Sequence, residues 1–286
     1  MAPIKWKAFA YDATNYNYEG AALKKVWPEL HRGDRESFPD AAFVKQALAA
    51  HPRLKIASDA DKAATALQSA WRAYHRGDFS AAVAGGAALG PIGANAANKA
   101  ANIYATYLET DSERKREIFL KSAERAEALQ AAAPDFVNAF YFHAQALGRY
   151  SQEISVVKAL AQGIGGRVKA SLEKAIRLEP NHAEAHIALG AYHAEIVNKV
   201  GALLAGLTYG ASKEEAVKHF AIARKLIPDS AIARIEEANG LVMLFGKSKL
   251  AEAQSLYKEA ARCAPADAMQ KLDAEHAKQE AEGQGP

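Results

Sequence analysis

Apolar and small residues recur along this chain at intervals of three and four from about Gly20 to Glu282, the period of helices with one buried face. Period-two alternation is nearly absent, so strands are not expected. Two stretches share one spaced pattern: Ala216, Phe220, Ala223, Pro228, and then Ala253, Tyr257, Ala260, Pro265. Both read A-x3-[F/Y]-x2-A-x4-P. The spacing puts a small, an aromatic and a small residue on one helical face, so neighbouring helices can approach closely and lock around the ring. The proline ends each unit, because it lacks the N–H of the helical ladder and biases its predecessor away from helix.

A second repeat lies nearer the N-terminus. Trp27, His31, Arg32, Gly33 and Asp34 match Trp71, His75, Arg76, Gly77 and Asp78 as W-x3-H-R-G-D. Each glycine sits where a helix is expected to stop in the left-handed conformation, and each Asp is placed to start the next segment as an N-cap. This predicts a hairpin of Gly20–Arg32 with Pro39–Ala50, then Asp61–Arg76 with Phe79–Leu89. A third pair is expected over Asn95–Leu108 and Ser112–Ala132, with Ser112 as its cap. The Arg-Gly-Asp triplets read as turns rather than adhesion signals.

Farther on, Pro134, Pro180, Pro228 and Pro265 mark the units at intervals of 46, 48 and 37 residues. The alanine–aromatic–alanine–proline pattern resembles the second-helix half of a tetratricopeptide (TPR) repeat, whose unit needs only about 34 residues. Gly190 and Ala216 are 26 residues apart, where the TPR register expects about 12. The excess falls within Ala191–Ala211, and a similar excess lies between Ala144 and Val168. Both insertions are apolar, helix-like and glycine-terminated. The expected fold is all-α, a TPR-like right-handed solenoid of about six antiparallel helix pairs, two with extended first helices. The expected divisions are an N-terminal arm and hairpin (1–58), a repeat array (59–265), and a capping helix with its tail (266–286). Gly283–Pro286 is expected to fray, and Tyr11, Tyr16 and Tyr18 to belong to an arm along the first hairpin.

The segment from Leu178 through Glu195, followed by the long apolar run and then Ala216–Pro228, is similar to the TPR-like domain of regulator-of-microtubule-dynamics proteins. It also resembles the T-component proteins associated with TRAP transporters. The first resemblance implies lipid or protein binding at membrane contacts; the second implies a hydrophobic-ligand partner of a transporter. Neither transfers a catalytic residue.

Charge excludes less than it suggests. The chain has 36 basic and 33 acidic residues without a basic stripe, so a nucleic-acid partner is not expected. The start lacks a continuous apolar region and a small-residue cleavage site, and no run is long enough to span a bilayer, so a cytoplasmic chain is expected. The lone cysteine, Cys263, is read as a small packing residue of the last repeat helix.

Chemistry is sparse. His182, His186 and His193 share a helical face, but the order His-Ala-Glu-Ala-His fails the His-Glu-x-x-His zinc pattern. In the TPR register His186 and His193 take packing or groove-wall positions, and no metal is expected. Gly163-Ile-Gly-Gly lacks the Gly-Lys-[Ser/Thr] ending of a phosphate loop, and Gly85-Gly86 reads as a close-packing site. No enzyme and no cofactor are expected.

What remains is surface. Groove contacts on the first helices are expected at Asn102, Tyr104, Asn138, Tyr141, His186, Tyr192, Asn198 and Asn239. These support a non-enzymatic scaffold holding a protein or peptide partner. The alternative is a carrier or sensor of a lipid or other hydrophobic molecule, in a cavity walled by Val156, Val157, Leu160, Leu203, Leu204 and Leu207. Pairing of the two insertions, or a homo-oligomer built on them, stays open.

Overall fold

In the computed structural model, which describes residues 5–283, seven helices start on an Asp or Ser side chain that accepts the backbone N–H three residues on. The caps are Asp40, Asp59, Asp78, Asp111, Ser212, Ser230 and Asp267, each contributing about 1 kcal/mol by satisfying an otherwise orphaned donor. Asp111, not Ser112, caps its helix, because its backbone is extended while Ser112 is already helical. No strand occurs among the described residues. The frayed end expected at 283–286 lies, beyond Gly283, outside them.

Contacts divide the chain into two compact units, residues 1–31 with 35–153, and residues 32–34 with 154–286. The first carries α1 (Ala22–Leu30), α2 (Ala41–Ala50), α3 (Ala60–His75), α4 (Phe79–Ala88), α5 (Ala94–Tyr107), α6 (Ser112–Ala132) and nearly all of α7 (Val137–Ile154). Its core joins Val44, Leu54, Leu67, Ile92 and Leu129 with a set of alanines that let the helices close. Gly86 of α4 is one such close approach: a Cβ there would lie 2.7 Å from the Gly93 carbonyl and 2.8 Å from the Ala97 nitrogen. Only a residue without a side chain fits between those backbones.

The two W-x3-H repeats meet in space. Trp27 stacks on His31 at 3.9 Å, Trp71 on His75 at 6.1 Å, and the two indoles pack edge to face at 5.6 Å. The i, i+4 spacing on each helix brings this about. The buried imidazoles share a hydrogen bond, Nε2 to Nε2, of 3.3 Å. Here the expected hairpin is corrected: both helices lie where the pattern placed them, but α2 packs on α3, and α1 is fastened to α3 by this cluster. Gly77 is left-handed as expected, at φ +85. In the first repeat the left-handed residue is Arg35, at φ +55, because the chain continues through four further turn residues before it reverses. The N-terminal arm is also redirected. Lys7 donates its N–H to the Tyr104 hydroxyl, Trp6 packs on that ring at 4.3 Å, and Arg72 donates to the Tyr18 carbonyl. The arm therefore follows α3 and α5.

The second unit holds α8 (Val156–Ala161), α9 (Ile164–Leu178), α10 (Ala183–Val200), α11 (Ala202–Tyr209), α12 (Lys213–Leu226), α13 (Ala231–Phe245), α14 (Leu250–Ala260) and the capping helix α15 (Ala268–Ala281). The pairs α10–α12 and α13–α14 are its repeats, with α13 packed on α10. In α12, Ala216, Phe220 and Ala223 are all buried, as the shared pattern requires. Cys263 lies just past the end of α14, half-buried, with burial pushing its thiol up.

The insertions take a particular form. α7 and α10 each run 18 residues against 14 in α5, and each then breaks at a positive φ, Ser155 at 81° and Gly201 at 80°. The rest of each insertion becomes a short helix. α8 packs on α9 and α10, and α11 packs on α10, so neither projects as a continuous overhang. The Gly163–Gly166 run serves this folding: Gly163 is left-handed, and a Cβ on Gly165 would lie 2.5 Å from Leu160.

Candidate functional site

Asparagine is a poor helix former, because its amide competes for nearby backbone groups. Yet α5 carries Asn95, Asn98 and Asn102 at i, i+3 and i+7, all buried and all on one face. The same offsets on α7 hold Asn138, Tyr141 and Gln145. The rows meet. Asn102 donates to the Gln145 carbonyl oxygen at 2.9 Å, and Gln145 donates to the Tyr141 hydroxyl at 3.3 Å. At the other end, Asn95 and Asn138 both donate to the carboxylate of Glu36, at 3.0 and 2.6 Å. In the middle, Asn98 accepts from Arg125 of α6 at 2.8 Å. Burial of that guanidinium pulls its pKa down to about 10.

Three atoms of the α5 row have no hydrogen-bond partner: Asn95 Oδ1, Asn98 Nδ2 and Asn102 Oδ1. Glu36 opens onto a cavity of about 200 Å³ lined by Arg35, Ser37, Phe43, Asn95, Phe136 and Asn138, among others. Of the expected groove residues in this unit, Asn138 lines the cavity and Asn102 and Tyr141 lie on the meeting rows. Tyr104 is buried under the N-terminal arm. Glu36, Asn95 and Asn98 went unpredicted. The asparagine spacing on α5 was a usable signal for the last two, whereas Glu36 sits in a loop with no period.

In the second unit the histidines form a packed triad. His182 stands apart as the N-cap of α10, its Nδ1 accepting the Ala185 N–H. His186 and His219 face each other Nδ1 to Nδ1 at 2.7 Å, and His193 stacks on His219 at 6.0 Å. The protons can be placed from their partners. The Pro180 carbonyl can only accept, so His186 carries a proton on Nε2, 3.1 Å away, and with that ring neutral its Nδ1 accepts from His219. The Ser212 N–H donates to His193 Nδ1. Burial is the main cause that lowers all three pKa values, that of His219 to about 4 with help from the two neighbouring rings. Among the described residues no group of three ligating side chains could hold a metal ion.

The remaining expected residues separate. Tyr192 is buried with an unpartnered hydroxyl, and burial pushes its pKa up to about 12. Asn239 accepts from the Tyr257 hydroxyl, and Asn198 is exposed near the end of α10. Of the apolar set, Val156 and Leu160 are buried, while Val157, Leu203, Leu204 and Leu207 face solvent, Leu203 and Leu207 at 79% and 80% exposure. Ala205, between them, is the residue of α11 that turns inward. The Leu203→Ser/Leu207→Ser double variant should therefore keep its unfolding free energy within about 0.5 kcal/mol while its retention on a hydrophobic column falls. A loss of several kcal/mol in urea unfolding would mean that these side chains are covered.

The family model for regulator of microtubule dynamics protein 1-3 matches residues 94–282, well over half of the chain. The chain belongs to this family. The match takes in α5 through α15, and so both asparagine-bearing helices, the histidine triad and both insertions. The crystal structure of a thermophilic TPR protein from Thermus thermophilus is similar at TM-score 0.54 and 18% identity, over 76% of this chain and 98% of that one. That likeness establishes the TPR-like helical-repeat fold. No curated protein matches the chain. Among the described residues no helix of this family member is long and apolar enough to cross a membrane.

Proposed function

We propose that this family member is a non-enzymatic scaffold in the cytoplasm that binds a protein or peptide partner along the row of polar side chains on α5 and α7. The observation that carries this is the set of three buried, unpartnered amide atoms on α5, beside a second polar row at the same helical offsets. A buried polar atom left unpaired costs about 1–3 kcal/mol, a cost that apolar side chains at these positions would avoid. Where the rows reach the cavity, beside Asn95 and Asn138, a bound main chain brings its own N–H and C=O groups to the polar side chains.

A photo-crosslinker at exposed Ser37, on the rim of the cavity, tests the reading in cells. One specific partner band is expected, absent with the crosslinker at Lys225 on α12 and weakened by Asn138→Ala. Equal, diffuse labelling from both positions would remove the proposal.

A lipid carrier or sensor is the second reading, favoured by the apolar side chains that α8 and α11 turn to solvent. Native mass spectrometry of the purified protein decides it. No co-purified lipid, with fatty-acid uptake unaltered by the Leu203→Ser/Leu207→Ser change, would remove it. Light scattering of the same pair of proteins reports whether these leucines join two copies.

A further inference from the structure

The second insertion is fastened back onto the repeat through an imidazole. α11 is eight residues long, too short to hold a helix in water unaided, and it runs between two glycines of positive φ, Gly201 at 80° and Gly210 at 58°. Ala205 is its one buried side chain, so little apolar area holds it to α10. Its backbone closes on itself. Gly210 donates to the Gly206 carbonyl and Ala211 to the Ala205 carbonyl, the pair of bonds that ends a helix at a left-handed residue. The next N–H, that of Ser212, leaves the segment and donates to His193 Nδ1 on α10 at 3.2 Å. Ser212 also caps α12, its hydroxyl accepting the Glu215 N–H. The segment is thus tied to α10 at the point where α12 begins.

An imidazole accepts at Nδ1 only while that nitrogen carries no proton. A second proton on His193 makes Nδ1 a donor that faces the Ser212 N–H, and the tie is lost. His193 is 3% exposed, and the His219 ring stacks on it at 6.0 Å with 8° between the planes. Around it stand Lys169 and Glu173 of α9, and Glu215, Lys218 and His219 of α12. Tyr209 of α11 lies within electrostatic reach of the adjacent Tyr192. Glu173 and Glu215 favour the charged ring, Lys169, Lys218 and His219 oppose it, and burial opposes it most. The ring therefore takes its second proton more readily once the segment above it moves aside and water enters. On the same stretch of α10 the buried Tyr192 hydroxyl has no partner, a cost that the entering water relieves.

We propose that α11 is a strap latched to α10 through His193, which acid releases to uncover the α10 surface around Tyr192. The latch works whether or not the α5 and α7 rows hold a partner, and its opening is local, with α10, α12 and α13 staying packed. In the open state the solvated imidazole titrates near its ordinary value of about 6.5. From about pH 7.5 to about pH 5 the opening equilibrium therefore rises by up to about thirtyfold.

Hydrogen exchange of the full chain at those two pH values, corrected for intrinsic rates, tests this on the backbone amides of 205–212. In wild type their protection should fall by at least about threefold and at most about thirtyfold. His193→Gln offers the Ser212 N–H a carbonyl oxygen that acid leaves unprotonated, so the same amides should stay protected at both pH values. His219→Gln flattens the acid response of the unit as a whole, and there the loss should persist, confined to 205–212. If His193→Gln does not fold, the His219→Gln result decides alone. Unchanged protection of 205–212 in wild type would overturn the proposal, as would an equal loss in folded His193→Gln. So would a loss that vanishes in His219→Gln, because it would then belong to unfolding of the whole unit.

Discussion

Truncating Phe220 to alanine should lower the unfolding free energy of the second unit by about 3–5 kcal/mol, the largest effect expected of any single substitution here. The ring is 2% exposed and lies between two glycines of neighbouring helices, Gly190 on α10 and Gly240 on α13. A Cβ built on either would stand 2.8 Å or 2.4 Å from the ring. The helices can thus close onto opposite edges of the phenyl group, and the space it leaves is bounded by backbone that cannot follow a shrinking side chain. The reverse experiment sharpens the point. In a helix interior, glycine to alanine ordinarily gains up to about 1 kcal/mol. Gly240→Ala should instead lose about 1–3 kcal/mol, because the new methyl meets a ring with no room to move. Phe220→Leu in the Gly240→Ala background should recover part of that loss. Urea unfolding of the three variants checks the set. A stabilised Gly240→Ala protein would show that the ring is not clamped.

Acidification should weaken the same unit. His186, His193 and His219 are held neutral by burial, with folded pKa values below the ordinary 6.5 and that of His219 at about 4. Below about pH 6.5 the unfolded chain takes up protons that the folded chain refuses, so stability is complete above that pH and is lost as pH falls toward about 4. The His219 side chain is 11% exposed, so solvent screening takes little from the effect. From about pH 7.5 to about pH 5 its contribution falls by about 2 kcal/mol. Glu215, 3.6 Å from His219 Nε2, opposes the loss, while Lys218 and Lys169 add to it. His219→Gln should flatten the pH dependence of urea unfolding between those limits. An unchanged slope would place the titrating groups elsewhere.

Much of the architecture was legible because it follows from short-range physics. Helical period, proline ends and the alanine–aromatic–alanine spacing are local steric statements, and the helices from α3 to α6 begin and end within a few residues of where those statements place them. The burial of Phe220 between its flanking alanines was legible for the same reason, whereas the glycines that meet its ring, Gly190 and Gly240, come from neighbouring helices. The exceptions are instructive. Asp111 took the cap from Ser112, because whichever residue is extended accepts the N–H. Arg35 took the left-handed turn from Gly33, because the reversal came two residues later than the repeat implied.

The candidate site was legible only in its helical half. Asn138, Tyr141 and Asn102 belong to periodic helices and could be named from register. Glu36 comes from a loop without a period, and its meeting with two asparagines from α5 and α7 depends on where that loop lands. The insertions divide in the same way. Their position and apolar character were readable from the repeat length, while their folding back onto α10 rested on positive φ angles at Ser155 and Gly201.

By itself, then, the sequence determined the TPR-like succession of helices and the places where it departs from a plain repeat, since backbone sterics and side-chain period act within a few residues. Only the tertiary structure decided which polar groups end buried together, that three imidazoles form one cluster, and that Glu36 meets Asn95 and Asn138. Those depend on contacts between residues far apart in the chain, where burial sets the energy of each unpaired atom and charge.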